Sequence, residues 1–317
     1  MKKLFLLPLI AMAMCIVSCT SEPKPVAEHV ILIGLDGWGS YSVEKAEMPN
    51  VKALMQEGCH TLQKRAVLPS SSAVNWASMF MGACPELHGY TEWGSKTPEI
   101  PSRVKGETDI FPTIFQLLRK ARPEAEIGCL YEWNGIKYLV DTLSTSHYAQ
   151  TPEGKNYTDE LKNMACAYIK DKKPTFAAII YDNPDHVGHA IGHDTPEYYA
   201  NLKELDGYIG EIVEATKEAG IYENTIFIIT ADHGNADERY EIDKKTKGAK
   251  LNKDGTPKAK TSHTLNPVPC YIYDNFYGDS YTFNEGDFGL ANVAATVVTM
   301  MGYDAPEMWE KSLINLK

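Results

Sequence analysis

The sequence predicts an α/β fold with a largely parallel central sheet and helices on both faces. Apolar runs rich in Val and Ile fall at residues 30–35, 127–131, 176–181, 225–230 and 268–273, with longer amphipathic stretches between them. These runs are continuous rather than alternating, as expected of strands buried on both faces, and such strands belong to parallel sheets. The second observation is chemical: Asp36, Asp185 and the pair Asp232-His233 each follow an apolar run at once or within a few residues. Open α/β sheets place their chemistry there, at the carboxyl ends of strands.

The elements follow in order. The 30–35 run enters an Asp36-Gly37 turn, and a helix opens at Pro49 and stops at Gly58, using proline in the first turn and glycine past the last. Helical periodicity recurs over 112–120, 159–170, 196–219 and 288–301. No internal repeat is evident, and after the N-terminal segment no linker divides the chain. Residues 29–317 therefore read as one catalytic domain, near the upper size for a single core.

Residues 1–18 are set apart from this body. Lys2 and Lys3 precede an apolar run from Leu4 to Val17, short for a membrane span and suited to a secretory signal. Ile16-Val17-Ser18-Cys19 resembles the lipobox of bacterial lipoproteins, which implies cleavage before Cys19 and lipidation of that residue. Residues 19–28 then form a polar tether, and the protein is expected to be exported and held at a bacterial membrane through its lipid alone.

Loss of the two signal-peptide lysines takes the formal charge from -11 to -13. A body this acidic is a poor general nucleic-acid binder, because such binding neutralises phosphates with Lys and Arg. Beyond Cys19 the cysteines Cys59, Cys84, Cys129, Cys166 and Cys270 are scattered, without the close spacing of a thiolate metal site. The one biased stretch, Lys244 to Lys260 with seven lysines, reads as a solvated excursion, with a substrate-facing lid as the alternative.

Asp36, Asp185, His189, Asp232, His233 and His263 make an inventory of three carboxylates and three imidazoles, and Ser72 adds a hydroxyl. This is what a pair of divalent ions needs to activate a serine against a phosphorus ester. Asp185 and His189 lie four residues apart, so on a helical turn both point to one face. His189 and His193 share that spacing, which leaves His193 open as a ligand.

Ile33-Gly34-Leu35-Asp36-Gly37 resembles the opening of the nucleotide pyrophosphatase/phosphodiesterase branch of the alkaline phosphatase superfamily. Pro69-Ser70-Ser71-Ser72-Ala73-Val74-Asn75 is similar to its nucleophile segment, and Gly82 to Gly89 to the element that follows. The likeness continues through Pro184 to His189, Thr230 to Gly234, and His263. The late motifs, from Ala231 to Ala236 and from Ser262 to Pro269, also resemble the cofactor-independent phosphoglycerate mutases. Those enzymes carry a large extra domain for which this chain has too few residues.

The resemblance implies an alkaline phosphatase-like fold and two zinc ions, other divalent ions being possible. Asp36, Asp232 and His233 would hold one, and Asp185, His189 and His263 the other. It implies attack by Ser72 on a small phosphate diester, Asn75 donating to the developing charge, and a covalent phospho-serine cleaved by water. His88 is expected to brace the nucleophile loop. Family members that cleave nucleotides tend to carry an aromatic after the nucleophile, where this chain has Ala73; Trp38 and Trp76 are either alternative aromatic surface or core. A sulfatase would need Pro and Arg after the nucleophile, and Ala73-Val74-Asn75-Trp76 has neither. A phosphomonoesterase or phosphotransferase on the same site, and an inactive lipid-anchored binding protein, are the remaining alternatives.

Overall fold

The computed structural model describes residues 27–152, 157–235, 241–258, 263–264, 268–273, 281–283 and 289–316. The segment expected to be a signal peptide, Cys19 and most of the expected tether lie outside the described residues. Among those described, no helix is long and apolar enough to cross a membrane.

The strands are β1 (His29–Asp36), β2 (Cys59–Lys64), β3 (Ile127–Tyr131), β4 (His147–Gln150), β5 (Phe176–Pro184), β6 (Thr225–Thr230), β7 (Gly234–Asn235), β8 (His263–Thr264), β9 (Val268–Tyr273), β10 (Tyr281–Phe283) and β11 (Ile314–Leu316). Seven of them form the main sheet in the order β2-β9-β6-β1-β5-β3-β4. The five from β6 to β4 run parallel, and β9 adds antiparallel to β6 with β2 beyond it. All five runs named from sequence are strands, and the fold class holds. Direction was not legible for β9, because a run buried on both faces looks the same either way. β1 lies at the middle, and its apolar side chains from Val30 to Leu35 are at most 1% exposed, which accounts for the unbroken run.

The helices are α1 (Pro49–Glu57), α2 (Ser72–Met81), α3 (Pro85–His88), α4 (Ile114–Ala121), α5 (Tyr157–Lys172), α6 (Asp185–Ile191), α7 (Pro196–Glu218) and α8 (Asn292–Met300). They pack as two groups, α1, α5, α6 and α7 in one and α2, α3, α4 and α8 in the other, which cover the two faces of the sheet. The body begins slightly earlier than the expected 29: Ala27 is buried, and its N–H donates to the Met300 carbonyl at 3.1 Å. Ala27 therefore packs with the core, while Glu28 stays exposed.

Helix α1 shows how distant residues complete a local signal. Pro49 starts it, yet Met48 supplies no side-chain cap. Asp206 of α7 does so from across the layer, accepting from the Asn50 N–H at 3.1 Å and the Val51 N–H at 2.8 Å. Two hydrogen bonds to a buried carboxylate at a helix N-terminus lead us to expect Asp206→Ala to lower stability by about 2–3 kcal/mol in urea denaturation. The Lys-rich excursion is exposed where described, and Glu241 pairs with Lys250 and Lys258 within it. Cys84, Cys129 and Cys166 are free thiols.

Candidate active site

Three strand ends and one helix end meet above the centre of the sheet. β1 delivers Asp36, β5 passes directly into α6 at Asp185, and β6 ends two residues before Asp232. Strand order makes this possible, because β6, β1 and β5 are adjacent and parallel, so their carboxyl ends lie side by side.

The turn after Asp36 needs glycine. Gly37 has φ +67°, and a Cβ there would stand 2.5 Å from Asp185 Oδ1. The turn is held by its own peptide groups. Gly37 N–H donates to Asp232 Oδ1 at 3.2 Å, while the Gly37 carbonyl accepts from Asn235 Nδ2 at 2.6 Å and from the Tyr198 hydroxyl at 3.1 Å. The Asp36 and Asp232 loops are thus tied together.

Asp36, Asp185 and His233 each bring one ligand atom within 4.8 Å of the others, and all three residues are buried. His233 Nε2 lies 3.1 Å from Asp36 Oδ1 and 3.5 Å from Asp232 Oδ2, and among the described residues neither oxygen has another hydrogen-bond partner. His233 Nδ1 is 2.9 Å from the Gly234 carbonyl, an acceptor, so Nδ1 carries a proton and a neutral ring turns its Nε2 lone pair to the carboxylates. Acceptors converging on one point fit a cation. Two carboxylates 4 Å apart repel by roughly 4 kcal/mol even at an effective dielectric of 20, so this packing of acids is stable only against positive charge.

The electrostatics show the same strain. Burial and the neighbouring Asp36 carboxylate push the Asp232 carboxyl well above the usual range. Burial lowers the His233 pKa, but the Asp232 and Asp36 carboxylates outweigh it and lift the ring to about 10. A proton therefore occupies the cluster unless a metal displaces it, and the donor set of carboxylates and imidazole suits zinc or another divalent ion. The resemblance assigns Asp185 to a separate ion from Asp36 and His233, and here the ligand atoms of all three lie within 4.8 Å of one another.

His189, the second residue of the Asp185 turn, points its Nε2 at Asp185 Oδ2, 2.9 Å away. That hydrogen bond raises the His189 pKa. His263 lies on β8, its backbone paired with Asn235 two residues beyond His233, and its side chain lies outside the described residues. His193 is buried, with its ring 6.3 Å from that of His189 and 5.6 Å from that of Tyr198.

Ser72 opens α2, and its Oγ stands 3.4 Å from His233 Nε2. The free N–H groups and positive dipole end of that helix face the same space, which favours an anion there. Asn75, one turn on, is fully buried; its Nδ2 donates to Ser70 Oγ at 3.2 Å and its Oδ1 accepts from Val67 N–H at 3.3 Å. Behind it, His88 accepts from Tyr90 N–H at 3.1 Å and lies 2.9 Å from Ser78 Oγ, and burial lowers its pKa to about 3. A permanently neutral His88 braces α2 against the following loop.

Both tryptophans singled out from sequence are fully buried. Trp76 Nε1 donates to Asp36 Oδ2 at 3.0 Å, so it aims a candidate ligand instead of meeting substrate. Its ring lies over Gly34, where a Cβ would come within 2.3 Å. Sequence reasoning missed Lys64: its fully buried ammonium donates to Thr230 Oγ1 at 2.5 Å and to the Ala231 carbonyl at 3.0 Å, supporting the strand end before Asp232. It also missed the walls of the cavity in front of Ser72. That space, about 490 Å³, is lined by Ser70, Ser71, Trp93, Trp133, Asp182, His186 and residues already described. No signal local to Trp93 or Trp133 marks them, since neither adjoins a motif.

An α/β scaffold carrying a buried acid and histidine cluster beside a serine at the first position of a helix fits the alkaline phosphatase superfamily. The chain matches the type I phosphodiesterase / nucleotide pyrophosphatase family over residues 30–275 and belongs to it. A probable 2,3-bisphosphoglycerate-independent phosphoglycerate mutase of Leptospira interrogans is 35% identical over 198 residues, 58% of this chain and 34% of the relative. The chain thus spans about a third of the length of the curated relatives it matches. Among solved structures, an inactive murine ectonucleotide pyrophosphatase/phosphodiesterase 5 in complex with AMP aligns with a TM-score of 0.62 at 14% identity, covering 89% of this chain and 97% of that one. A putative sulfatase of Bacteroides thetaiotaomicron aligns with a TM-score of 0.63 at 13% identity, covering 90% and 74%. At such identities these two show the fold alone. Members of the family are metal-dependent, and a cluster able to hold metal is present here.

Proposed function

We propose that this protein is a two-zinc phosphodiesterase that cleaves small phosphate diesters through a covalent intermediate on Ser72. The observation that carries the reading is the placement of Ser72 Oγ beside His233 Nε2, at the edge of the Asp36, Asp185 and His233 cluster and facing the cavity. Asp36, Asp232 and His233 would hold one ion, and Asp185, His189 and His263 the other. Bound divalent cations lower the pKa of a serine hydroxyl and neutralise charge building on a phosphoryl group.

The rest falls to the protein. The first turn of α2 orients Ser72 and offers its backbone N–H groups to the phosphoryl oxygens. Asn75 keeps the Ser70 to Ser72 segment in register through Ser70, and its amide reaches substrate only if that bond is exchanged. Ser72 Oγ attacks phosphorus in line, an alcohol leaves, and water then cleaves the phospho-serine, so two displacements give retention.

Diesters are favoured over monoesters because, among the described residues, no Lys or Arg lines the cavity to clamp a second negative charge. The mutase relatives support phosphoryl transfer as a second reading, but they extend well beyond the shared segment. We further propose export and anchoring through Cys19, on the Ile16-Val17-Ser18-Cys19 segment. The test is turnover of bis(p-nitrophenyl) phosphate against p-nitrophenyl phosphate, before and after chelation and zinc return. The expected result is zinc-restored cleavage with the diester faster by at least about tenfold, a difference of roughly 1.4 kcal/mol in barrier. No cleavage of either ester by zinc-loaded protein would overturn the assignment and favour an inactive binding protein.

A further inference from the structure

We infer that Glu132 is a positioning residue for the metal site, its side chain holding a bulge in β5 that keeps Asp185 beside Asp36. The inference rests on the two-ion reading above and deepens it, by giving a role to a residue outside the ligand set.

The bulge is visible in the strand register. Leu35 of β1 pairs with Tyr181 of β5, but the next residue, Asp36, pairs with Pro184. Asp182 and Asn183 are therefore extra residues in β5. A bulge bends its strand and re-aims the side chains that follow, and here β5 passes directly into α6 at Asp185. Two residues of extended chain span about 7 Å, so a straight β5 would carry Asp185 forward by that much and away from Asp36 and His233.

Glu132 sits where the ladder between β3 and β5 ends. Tyr131 is the last paired residue of β3, opposite Ile180. One step on, Glu132 N–H still donates to the Ile180 carbonyl at 3.1 Å. A regular parallel ladder would return a bond from Asp182 N–H to the Glu132 carbonyl. Instead Asp182 N–H donates to Glu132 Oε2 at 2.6 Å, and the Glu132 carbonyl accepts from Gln150 Nε2 at 3.0 Å. A side-chain acceptor reaches further than the carbonyl of the same residue, so the backbone at Asp182 leaves the ladder and keeps its hydrogen bond. Asn183, the second extra residue, is buried and donates from Nδ2 to Thr158 Oγ1 at 2.9 Å. Glu132 is 5% exposed, so little water is at hand to replace it as the acceptor. Burial also pushes its carboxyl up to about 8, so at neutral pH the group is mostly uncharged and the amide of glutamine can stand in for it.

Zinc binding, followed by competition with a chromogenic chelator, tests the inference without turnover. Glu132→Leu keeps much of the volume and removes the acceptor. One of the two zinc equivalents should then weaken by about 10–100-fold, the usual effect of losing a residue that orients a ligand. Glu132→Gln should bind both ions as the wild type does, and so should Asp206→Ala, which separates positioning from general loss of stability. The visible spectrum of the cobalt-loaded protein, which reports coordination geometry, should change in Glu132→Leu and not in the other two. Thr158→Val removes the acceptor for Asn183 and should weaken the same equivalent to a lesser degree, a readout that remains if Glu132→Leu does not fold. Equal zinc affinity in Glu132→Leu and the wild type would overturn the inference and leave the two-ion reading standing. A loss in Glu132→Gln as large as in Glu132→Leu would overturn it as well, since the hydrogen bond would then not be what matters. A wild type that binds fewer than two zinc ions would sink the two-ion reading and this inference with it.

Discussion

Ser72→Ala should cut turnover of bis(p-nitrophenyl) phosphate by at least about 10⁴-fold and leave the zinc content of the protein as it was. The two halves of this result have separate causes. Ser72 supplies the attacking oxygen, and deleting it leaves only binding and electrostatic help for adventitious water. The ligands implied for the ions are all other residues, and the polar contact described for Ser72 Oγ is the one 3.4 Å from His233 Nε2. Alanine suits the first turn of a helix, so stability should change little. Ser72→Thr should recover part of the rate, since it restores a hydroxyl at the same helix end. Acid-quenched wild-type protein should carry phosphate on the peptide containing Ser72, detectable by mass spectrometry, and Ser72→Ala should not. Retained turnover in Ser72→Ala would remove the covalent route.

Asp232→Asn should have the opposite signature, losing metal and activity together in a folded protein. Asparagine has the same shape, and its Oδ1 can still accept from the Gly37 and His233 N–H groups that Asp232 Oδ1 holds at 3.2 and 2.9 Å. What changes is the other atom, where a donor replaces the Oδ2 that faces His233 Nε2 at 3.5 Å. One negative charge is lost and a ligand oxygen becomes an N–H, so zinc affinity should drop by at least about 100-fold, beyond the usual effect of supporting residues. Metal analysis after dialysis against a zinc buffer measures this, with circular dichroism as the check on folding. Zinc should also raise the melting temperature of the wild type and not of the variant, because only a bound ion adds to folded-state stability. Unchanged zinc content would contradict the ligand assignment.

Much of the framework could be read from local pattern. Asp36 was legible because it ends an apolar run, and Asp232-His233 because it follows another, so strand physics alone put these groups at one end of the sheet. Pro49 and Gly58 likewise marked α1, which the structure bounds at Pro49–Glu57. Other features required the folded chain. Trp76 read as either aromatic surface or core; as the residue four on from Ser72 in α2 it is buried beneath the nucleophile and bonds Asp36. Lys64 carried no signal in the sequence, and its ammonium lies fully buried against Thr230 and Ala231.

The sequence by itself determined the chemical inventory of this protein: a serine, three carboxylates and their histidines, placed at strand and helix ends by period and capping. The tertiary structure decided which of them meet. Asp36 and His233 lie close because β1 and β6 are neighbours, while Trp93 and Trp133 share the cavity wall through loops with no common motif. The physical reason is that backbone periodicity is set within a few residues, whereas the distance between side chains far apart in the chain depends on strand order and on how loops pack over the sheet.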